Sequence, residues 1–371
     1  MPPRKGLQTG EPLSPPPYLD TRTPALTLLG QVVVLLAFPL ACARLALLFA
    51  VMGAYCLALV PLNRATADPD APNFRAYEFV TRLSFAAGRL ALAAVGFRVR
   101  VHGAEHVAAA YAANTATVVV SNHVSYFDVF ALGAAIGPYF PVTRAGACAR
   151  VRRHTSQQAA LRLSTPPPAG CCSAGALTAP HLSAADIATL PIFGALLRMW
   201  GFTGVDRSRG AEGITARLAA RARRTGAWAK HPPVLVFPEG TCSTGDALLR
   251  FKSGAFVAGV PVLPVALRYT AGDLCAGWVW RDHGASASPL SRLPTDVVHL
   301  ARLLLARNKA VDVYVLPPHV PDAAQCADAT SFAEAVRREM GAVLGVPLDD
   351  RGVDDARAYY ASRIDGYSKS K

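Results

Sequence analysis

From Ala25 to Leu62 the chain runs for 38 residues with a single charge, Arg44. A signal peptide has an apolar core of about 7 to 15 residues close to the N-terminus, so a run of this length and position reads as a retained membrane anchor. As one straight helix it would extend roughly 57 Å, about twice the hydrocarbon core of a bilayer. Pro39 and Arg44 lie in mid-run. Proline removes a helix hydrogen bond, and arginine at the bilayer centre costs about 2.5 to 3.5 kcal/mol or more. A kinked hairpin with Arg44 reaching the headgroups answers both, with a single span as the alternative. Arg4, Lys5 and Arg22 before the run balance Arg64, Arg75 and Arg82 after it, so flanking charge does not decide orientation. The composition of the whole chain agrees: 52% of its 371 residues are hydrophobic and only 17% charged, where soluble domains carry about a quarter charged. Disorder of the whole chain is excluded.

The rest divides around this run. Residues 1–24 contain seven prolines and scattered charge, a composition read as a disordered tail. In segment 63–97, the apolar stretch Leu83–Phe97 is broken by Arg89 and is shorter than a span, so it reads as an interfacial or core-packed helix. From Arg98 the pattern changes to short β-rich runs, 117–121, 234–237, 261–269 and 311–316, with helical patterns at 210–224, 297–307 and 331–344. Such alternation predicts an α/β domain over 98–346 with a mostly parallel sheet flanked by helices, followed by a C-terminal tail at 347–371. Val260–Val265 holds Pro261 and Pro264, which confines it to a sheet edge or the start of a strand.

A net charge of +13 suits an anionic partner. The arginines are dispersed and no aromatic-basic motif occurs, so nucleic-acid binding is not expected. The eight cysteines include no Cys-x-x-Cys pair and show no regular spacing, so neither a zinc site nor a disulfide framework is expected. No calcium loop is present, and no metal is expected.

The strand Thr117–Ser121 runs straight into Asn122-His123-Val124-Ser125-Tyr126-Phe127-Asp128. Within one regular helix His123 and Asp128 would lie roughly 140° apart. They meet if His123 sits in the turn after the strand and Asp128 one turn into a helix capped by Ser125. Asp128 would then orient the imidazole and leave its other nitrogen as a base toward a hydroxyl. Three later segments add to the pair: Gly204-Val205-Asp206-Arg207, Phe237-Pro238-Glu239-Gly240-Thr241-Cys242 at the end of a strand, and Phe251-Lys252-Ser253-Gly254-Ala255-Phe256 before the proline-bearing strand.

In this order, NHVSYFD, GVDR, FPEGTC and VPVLPV resemble the four blocks of the glycerolipid acyltransferase family, over about 97–269 with weaker likeness to about 346. The resemblance implies a membrane-bound enzyme that takes acyl-CoA as co-substrate, with no cofactor, and acylates a lysophospholipid at its free hydroxyl. It implies His123 as general base, Asp128 as its orienter, and Arg207, Glu239, Gly240 and Thr241 as the wall that binds the acceptor. Lys252 is a further candidate for phosphate or coenzyme A. The EGTC form followed by FKxGAF is similar to the lysophosphatidylcholine and lysophosphatidylethanolamine enzymes, whereas lysophosphatidic acid enzymes carry Arg where Cys242 stands. Losing that guanidinium removes a bidentate partner for a phosphate monoester, a loss a phosphodiester tolerates. The implied location is the endoplasmic reticulum membrane, with the site facing the cytosol. Cys242 as a nucleophile is disfavoured, because no second histidine follows it closely and an acyl-CoA thioester is already activated.

One stretch departs from the family pattern. The basic residue and the Pro-x-x-Gly helix start that family members place close together correspond here to Arg144 and to Pro191 with Gly194, with 46 residues between Arg144 and Pro191. The intervening 148–183 has no periodicity and reads as an excursion that does not pack. A retained intron is the alternative, since codons for His181–Ala184 can spell a pyrimidine tract ending in CAG.

Overall fold

A computed structural model describes residues 15–64, 73–74, 77–112, 118–137, 140–144, 203–205, 219, 222–223, 233–281 and 295–363. Among them a seven-stranded sheet carries the fold: β1 (Phe97–His102), β2 (Val118–Ser121), β3 (Phe140–Arg144), β4 (Thr203–Val205), β5 (Val234–Val236), β6 (Val262–Thr270) and β7 (Lys309–Val315), in the spatial order β1-β7-β6-β2-β5-β3-β4. The five strands β6, β2, β5, β3 and β4 are mutually parallel. β7 pairs antiparallel with β6 and parallel with β1. The expected α/β architecture with a mostly parallel sheet is therefore present. All four residues of β2 are buried, as a central parallel strand covered on both faces requires.

Six helices matter for the site and its surroundings: α1 (Leu28–Leu59), α2 (Tyr77–Ala94), α3 (Ala104–Ala112), α4 (Asp128–Ile136), α5 (Thr295–Leu305) and α6 (Ala329–Leu344). Beyond them a last helix, α7, spans Val353–Arg363. The 148–183 excursion and nearly all of the 210–224 helix lie outside the described residues.

Four expectations need correcting. The anchor is one continuous helix, α1, about 48 Å long, that passes through Pro39 without turning back. It is the one described helix long and apolar enough to cross a membrane. Its face at Gln31, Val34, Ala41, Leu48, Met52, Tyr55 and Leu59 is buried, against α2 and α5. A proline costs a helix one hydrogen bond, and neighbours along the length of the helix can hold it straight. The opposite face leaves Leu28, Leu36 and Leu57 more than 70% exposed.

Arg44 does not reach outward. Its guanidinium donates to the carbonyl of Leu304 in the last turn of α5, where the helix dipole favours a cation. Lys309 caps the same end, donating to Leu303 O at 2.8 Å and Leu304 O at 2.9 Å, and also to Val95 O just past α2. Burial, with the Arg44 guanidinium nearby, pulls its pKa down to about 7.

Of the two placements the prolines allowed, the edge is the one that fails, for β6 is the third strand of seven; the start of a strand holds, with Pro261 just before Val262 and Pro264 the third residue of β6. Pro264 O accepts from Leu316 N at 3.0 Å, just past the end of β7 at Val315. The donor that Pro264 lacks thus falls where its partner strand has ended, which is how a central strand tolerates it.

Finally, both tails pack in part. Pro17 O accepts from Thr244 N at 2.6 Å, the Tyr18 ring lies 5.5 Å from Tyr359, and Arg22 pairs with Asp246 at 2.7 Å. Val353 and Ala356 of α7 are buried, and Leu348–Asp349 pairs with Leu248–Leu249. Composition measures what a segment can bury by itself, and here each tail completes the other's core. The second apolar stretch resolves as core-packed: α2 lies between α1 and α4, with Val80, Ala87, Ala91 and Leu92 buried.

The α2–α4 crossing is close because residue 88 is glycine. A Cβ there would lie 2.5 Å from Ala134 N and 2.7 Å from Phe130 O, both backbone atoms that cannot swing aside. Gly88→Ala is therefore expected to destabilise the chain by about 1 to 3 kcal/mol through overpacking, read as a lowered midpoint in thermal unfolding of the detergent-solubilised protein.

Candidate active site

Two neighbouring parallel strands end at the same edge of the sheet: β2 at Ser121 and β5 at Val236. In open α/β sheets this carboxyl edge is where sites assemble. Just past β2, Asn122 is fully buried; its amide donates to Leu267 O at 3.0 Å and accepts from Leu267 N at 2.7 Å, tying the turn to the central strand β6. His123 follows, with its side chain 27% exposed.

Asp128 begins α4 and is completely buried. Its Oδ2 accepts from His123 Nδ1 at 2.7 Å and from Val124 N at 2.7 Å, and its Oδ1 from Ser125 N at 3.0 Å. The pair meets as the turn-then-helix geometry predicts. Ser125 does not cap the helix; Asp128 instead reaches back to the turn, so one carboxylate both shapes the loop and orients the imidazole. With Nδ1 committed to Asp128, Nε2 is the nitrogen left to act.

The loop after β5 closes over the ring. Phe237 stacks on His123 with centroids 4.3 Å apart. Glu239, expected in the acceptor wall, is completely buried, and both its oxygens are engaged inside the protein: Oε1 accepts from His123 N at 2.9 Å and Oε2 from Leu249 N at 3.1 Å. Its part in any wall is as the support that joins the two loops. Gly240 then turns with φ +70°, a left-handed conformation that costs glycine nothing, and leaves Thr241 and Cys242 partly exposed. Ser243 N donates to His123 O at 2.8 Å, which ties the segment next to Cys242 to the turn that carries the imidazole. Sequence spacing could not reveal this contact, since it depends on β2 and β5 being neighbours. Phe237 and Asn122 were likewise unmarked beforehand, although both sit inside the motif blocks.

Lys252 starts a short turn whose amide donates to Pro238 O at 2.8 Å; a Cβ on Gly240 would lie 3.6 Å from its Cε, so it stands beside the Glu239 loop. Arg144 ends β3, next to β5. Its side chain, and Arg207 altogether, lie outside the described residues. Among the described residues, no group of three His, Cys, Asp or Glu side chains is arranged to hold a metal ion.

The comparisons with known proteins can be set beside this geometry. Residues 172–268 match the family model described as Acyltransferase. The chain is 37% identical over 174 residues to Lysophospholipid acyltransferase LPCAT4 of Mus musculus, covering 46% of this chain and 30% of that one. It is 31% identical over 175 residues to Lysophosphatidylcholine acyltransferase 1 of Danio rerio, covering 47% and 31%. With Lysophospholipid acyltransferase LPEAT1 of Arabidopsis thaliana it shares 27% identity over 256 residues, 68% of this chain and 51% of that one. The chain is thus similar to curated acyltransferases over about half of its length, and residues 172–268 carry the family match. It spans about a third to a half of the length of these curated relatives. The crystal structure of the 1-acyl-sn-glycerophosphate acyltransferase PlsC from Thermotoga maritima aligns with 83% of this chain and 96% of its own, at 16% identity and a TM-score of 0.44, a likeness too loose to carry an argument. The family-model match begins after His123, so the His123–Asp128 pair rests on its own geometry.

Electrostatics set the working range of the pair. Burial disfavours the imidazolium, but Cys242 and the Asp128 carboxylate together outweigh it and hold His123 well above its usual 6.5. An NMR titration of this imidazole is expected to show a midpoint above pH 6.5, and Cys242→Ala to lower it. Burial pushes Glu239 up to about 7, against the two amides that favour its carboxylate. Between about pH 4.5 and 7 the folded chain therefore holds a proton that the unfolded chain has released. The stabilisation from this group is full at the acid end of that window and is lost as the pH rises through 7. Glu239→Gln turns one amide donor toward another; it is expected to cost about 1 to 3 kcal/mol and to remove this pH dependence, read from thermal midpoints between pH 4.5 and 7.5.

Proposed function

We propose that this chain is an acyl-CoA-dependent lysophospholipid acyltransferase acting on lysophosphatidylcholine or lysophosphatidylethanolamine at the surface of the endoplasmic reticulum membrane, with its site facing the cytosol. The observation that carries this reading is the His123–Asp128 pair at the end of β2, with Nδ1 held at 2.7 Å and the ring stacked on Phe237, leaving Nε2 as the base. The names of the relatives point to the same class of acceptor.

In the reaction, Nε2 takes the proton of the lipid hydroxyl as the oxygen bonds to the acyl carbon. Asp128 stabilises the imidazolium that forms, and the proton leaves with the departing thiol. A general base of this kind contributes about 10² to 10⁴ in rate, and fixing the two substrates in one geometry can contribute more. The acyl chains of both substrates partition into lipid, and α1 supplies an apolar face along which that lipid can lie. Arg207, Lys252 and Arg144 remain the candidates for phosphate and coenzyme A.

Cys242 in place of arginine favours a phosphodiester headgroup; lysophosphatidic acid is the alternative acceptor. Purified chain offered lysophosphatidylcholine, lysophosphatidylethanolamine and lysophosphatidic acid with one acyl-CoA is expected to prefer the first two, and preference for the last would overturn the headgroup assignment. His123→Ala is expected to lower the transfer rate by about 10² to 10⁴; an unchanged cellular function in that variant would instead mark a catalytically silent lipid-binding protein.

A further inference from the structure

Away from the His123–Asp128 pair, the sheet carries a basic platform at the β1 side. Register sets Arg100, Asp312 and Arg268 side by side across β1, β7 and β6, and His102, Tyr314 and Ala266 in the next row; Arg98 opposes Ala310 one row further on. Side chains alternate between faces along a strand, so all of these share one face. Arg98, Arg100, His102 and Arg268 are exposed, and Tyr314 is half-buried between them. The His102 ring stacks on Tyr314 with centroids 4.6 Å apart, and the Arg268 guanidinium carbon lies 5.8 Å from the centre of the same ring. Among the described residues, the acid that pairs with this group is Asp312, at 3.0 Å from His102 Nε2 and 3.6 Å from Arg100 Nη1, and it leaves the Arg100 side chain 59% exposed. Three guanidiniums thus stand against one carboxylate.

We propose that this platform binds the 3′-phosphorylated adenosine diphosphate end of acyl-CoA while the thioester lies at His123; this rests on the acyltransferase reading above. That end of the donor carries a phosphate monoester, with about −1.5 to −2 charge at pH 7, beside a charged diphosphate bridge and a purine. Guanidinium forks match phosphate oxygens, and a purine stacks on histidine, tyrosine or arginine planes.

Two observations favour this occupant over a lipid surface. The first is the side of the sheet. Val265, Leu267, Val311 and Val313 face the cluster that contains Leu48, Met52 and Tyr55 of α1. Tyr314 and Ala266 face the opposite cluster, with Phe332, Val336 and Met340 of α6. The guanidiniums therefore stand on the side away from the apolar helix, where the nucleotide stays in water while the acyl chain lies in lipid. The second is reach. Arg268 follows Leu267, whose backbone holds Asn122 directly before His123. β1 is three strand spacings from β2, roughly 14 Å, which the pantetheine arm between thioester and nucleotide spans.

The test uses the full chain in nanodiscs, with lysophosphatidylcholine as acceptor and either palmitoyl-CoA or S-palmitoyl-pantetheine, which lacks the nucleotide, as donor. Arg100→Ala and Arg268→Ala are each expected to raise KM for palmitoyl-CoA about three- to fivefold, and about tenfold together, with KM for lysophosphatidylcholine unmoved. Both side chains are exposed, and thermal midpoints report that the variants fold. Wild-type chain is expected to prefer palmitoyl-CoA over the truncated donor, and the double variant to lose most of that preference. A double variant that keeps the full preference would overturn the proposal and leave the acyltransferase reading intact, as would equal losses with both donors. So would an unchanged KM for palmitoyl-CoA in a double variant that no longer cosediments with phosphatidylserine vesicles, which would assign the platform to lipid headgroups. If the wild-type chain transfers from neither donor, the acyltransferase reading falls, and calorimetric titration with desulfo-CoA still decides the platform: weaker binding by the double variant supports it, and equal binding overturns it.

Discussion

The Glu239 carboxylate is the buried joint between two loops at the carboxyl edge of the sheet. Its oxygens accept the amides of His123 and Leu249, one at the end of β2 and the other in the segment that follows β5. Without an acceptor at this buried point each amide would face apolar surroundings at a cost of about 1 to 3 kcal/mol. The stack of Phe237 on His123 lies beside that bridge. The same bridge reaches further: Leu248, beside Leu249, gives its carbonyl to the buried Arg337 of α6, which also binds Asp349 O. The C-terminal segment is thereby attached to the loop that shapes the site.

Local signals in the sequence identified the central strands and the His123–Asp128 pair. β-branched runs mark β2 and β6, and the turn after β2 has to bring His123 and Asp128 together because a regular helix cannot. What stayed hidden depends on sheet order. Nothing in the residues around Cys242 says that their loop lies beside the turn after β2, so the Ser243–His123 contact becomes visible only in the fold. Pro264 left an edge and a strand start equally open for a related reason: a missing donor excludes a central strand only if the partner strand extends past it, and β7 stops one residue short of where it would matter.

Arg44 and Glu239 share a second lesson. Arg44 was read by its solvation cost, giving a headgroup contact, and Glu239 by the family resemblance, giving a substrate contact. Both are instead satisfied by backbone: Arg44 by a helix C-terminal carbonyl, Glu239 by two amides. Backbone groups left over at the ends of helices and strands are partners that residue spacing does not display. In this fold they neutralise the cations between α1 and α5 and the anion beneath the site.

The path from the apolar helix to the chemistry follows from these contacts. α1 buries one face on α2, α2 crosses α4 at Gly88 with backbone nearly touching backbone, and α4 begins at Asp128. Close-packed helices transmit displacement rather than absorb it, so the height of His123 above the apolar face of α1 is set by two helix crossings and not by a loop. Under the proposed function, a lipid acceptor presents its hydroxyl at Nε2 while its own chain stays in the bilayer. That demand is met if the distance between membrane and base is fixed by rigid elements, and the small residues Gly88, Ala87 and Ala91 on α2 let those elements approach closely enough to fix it.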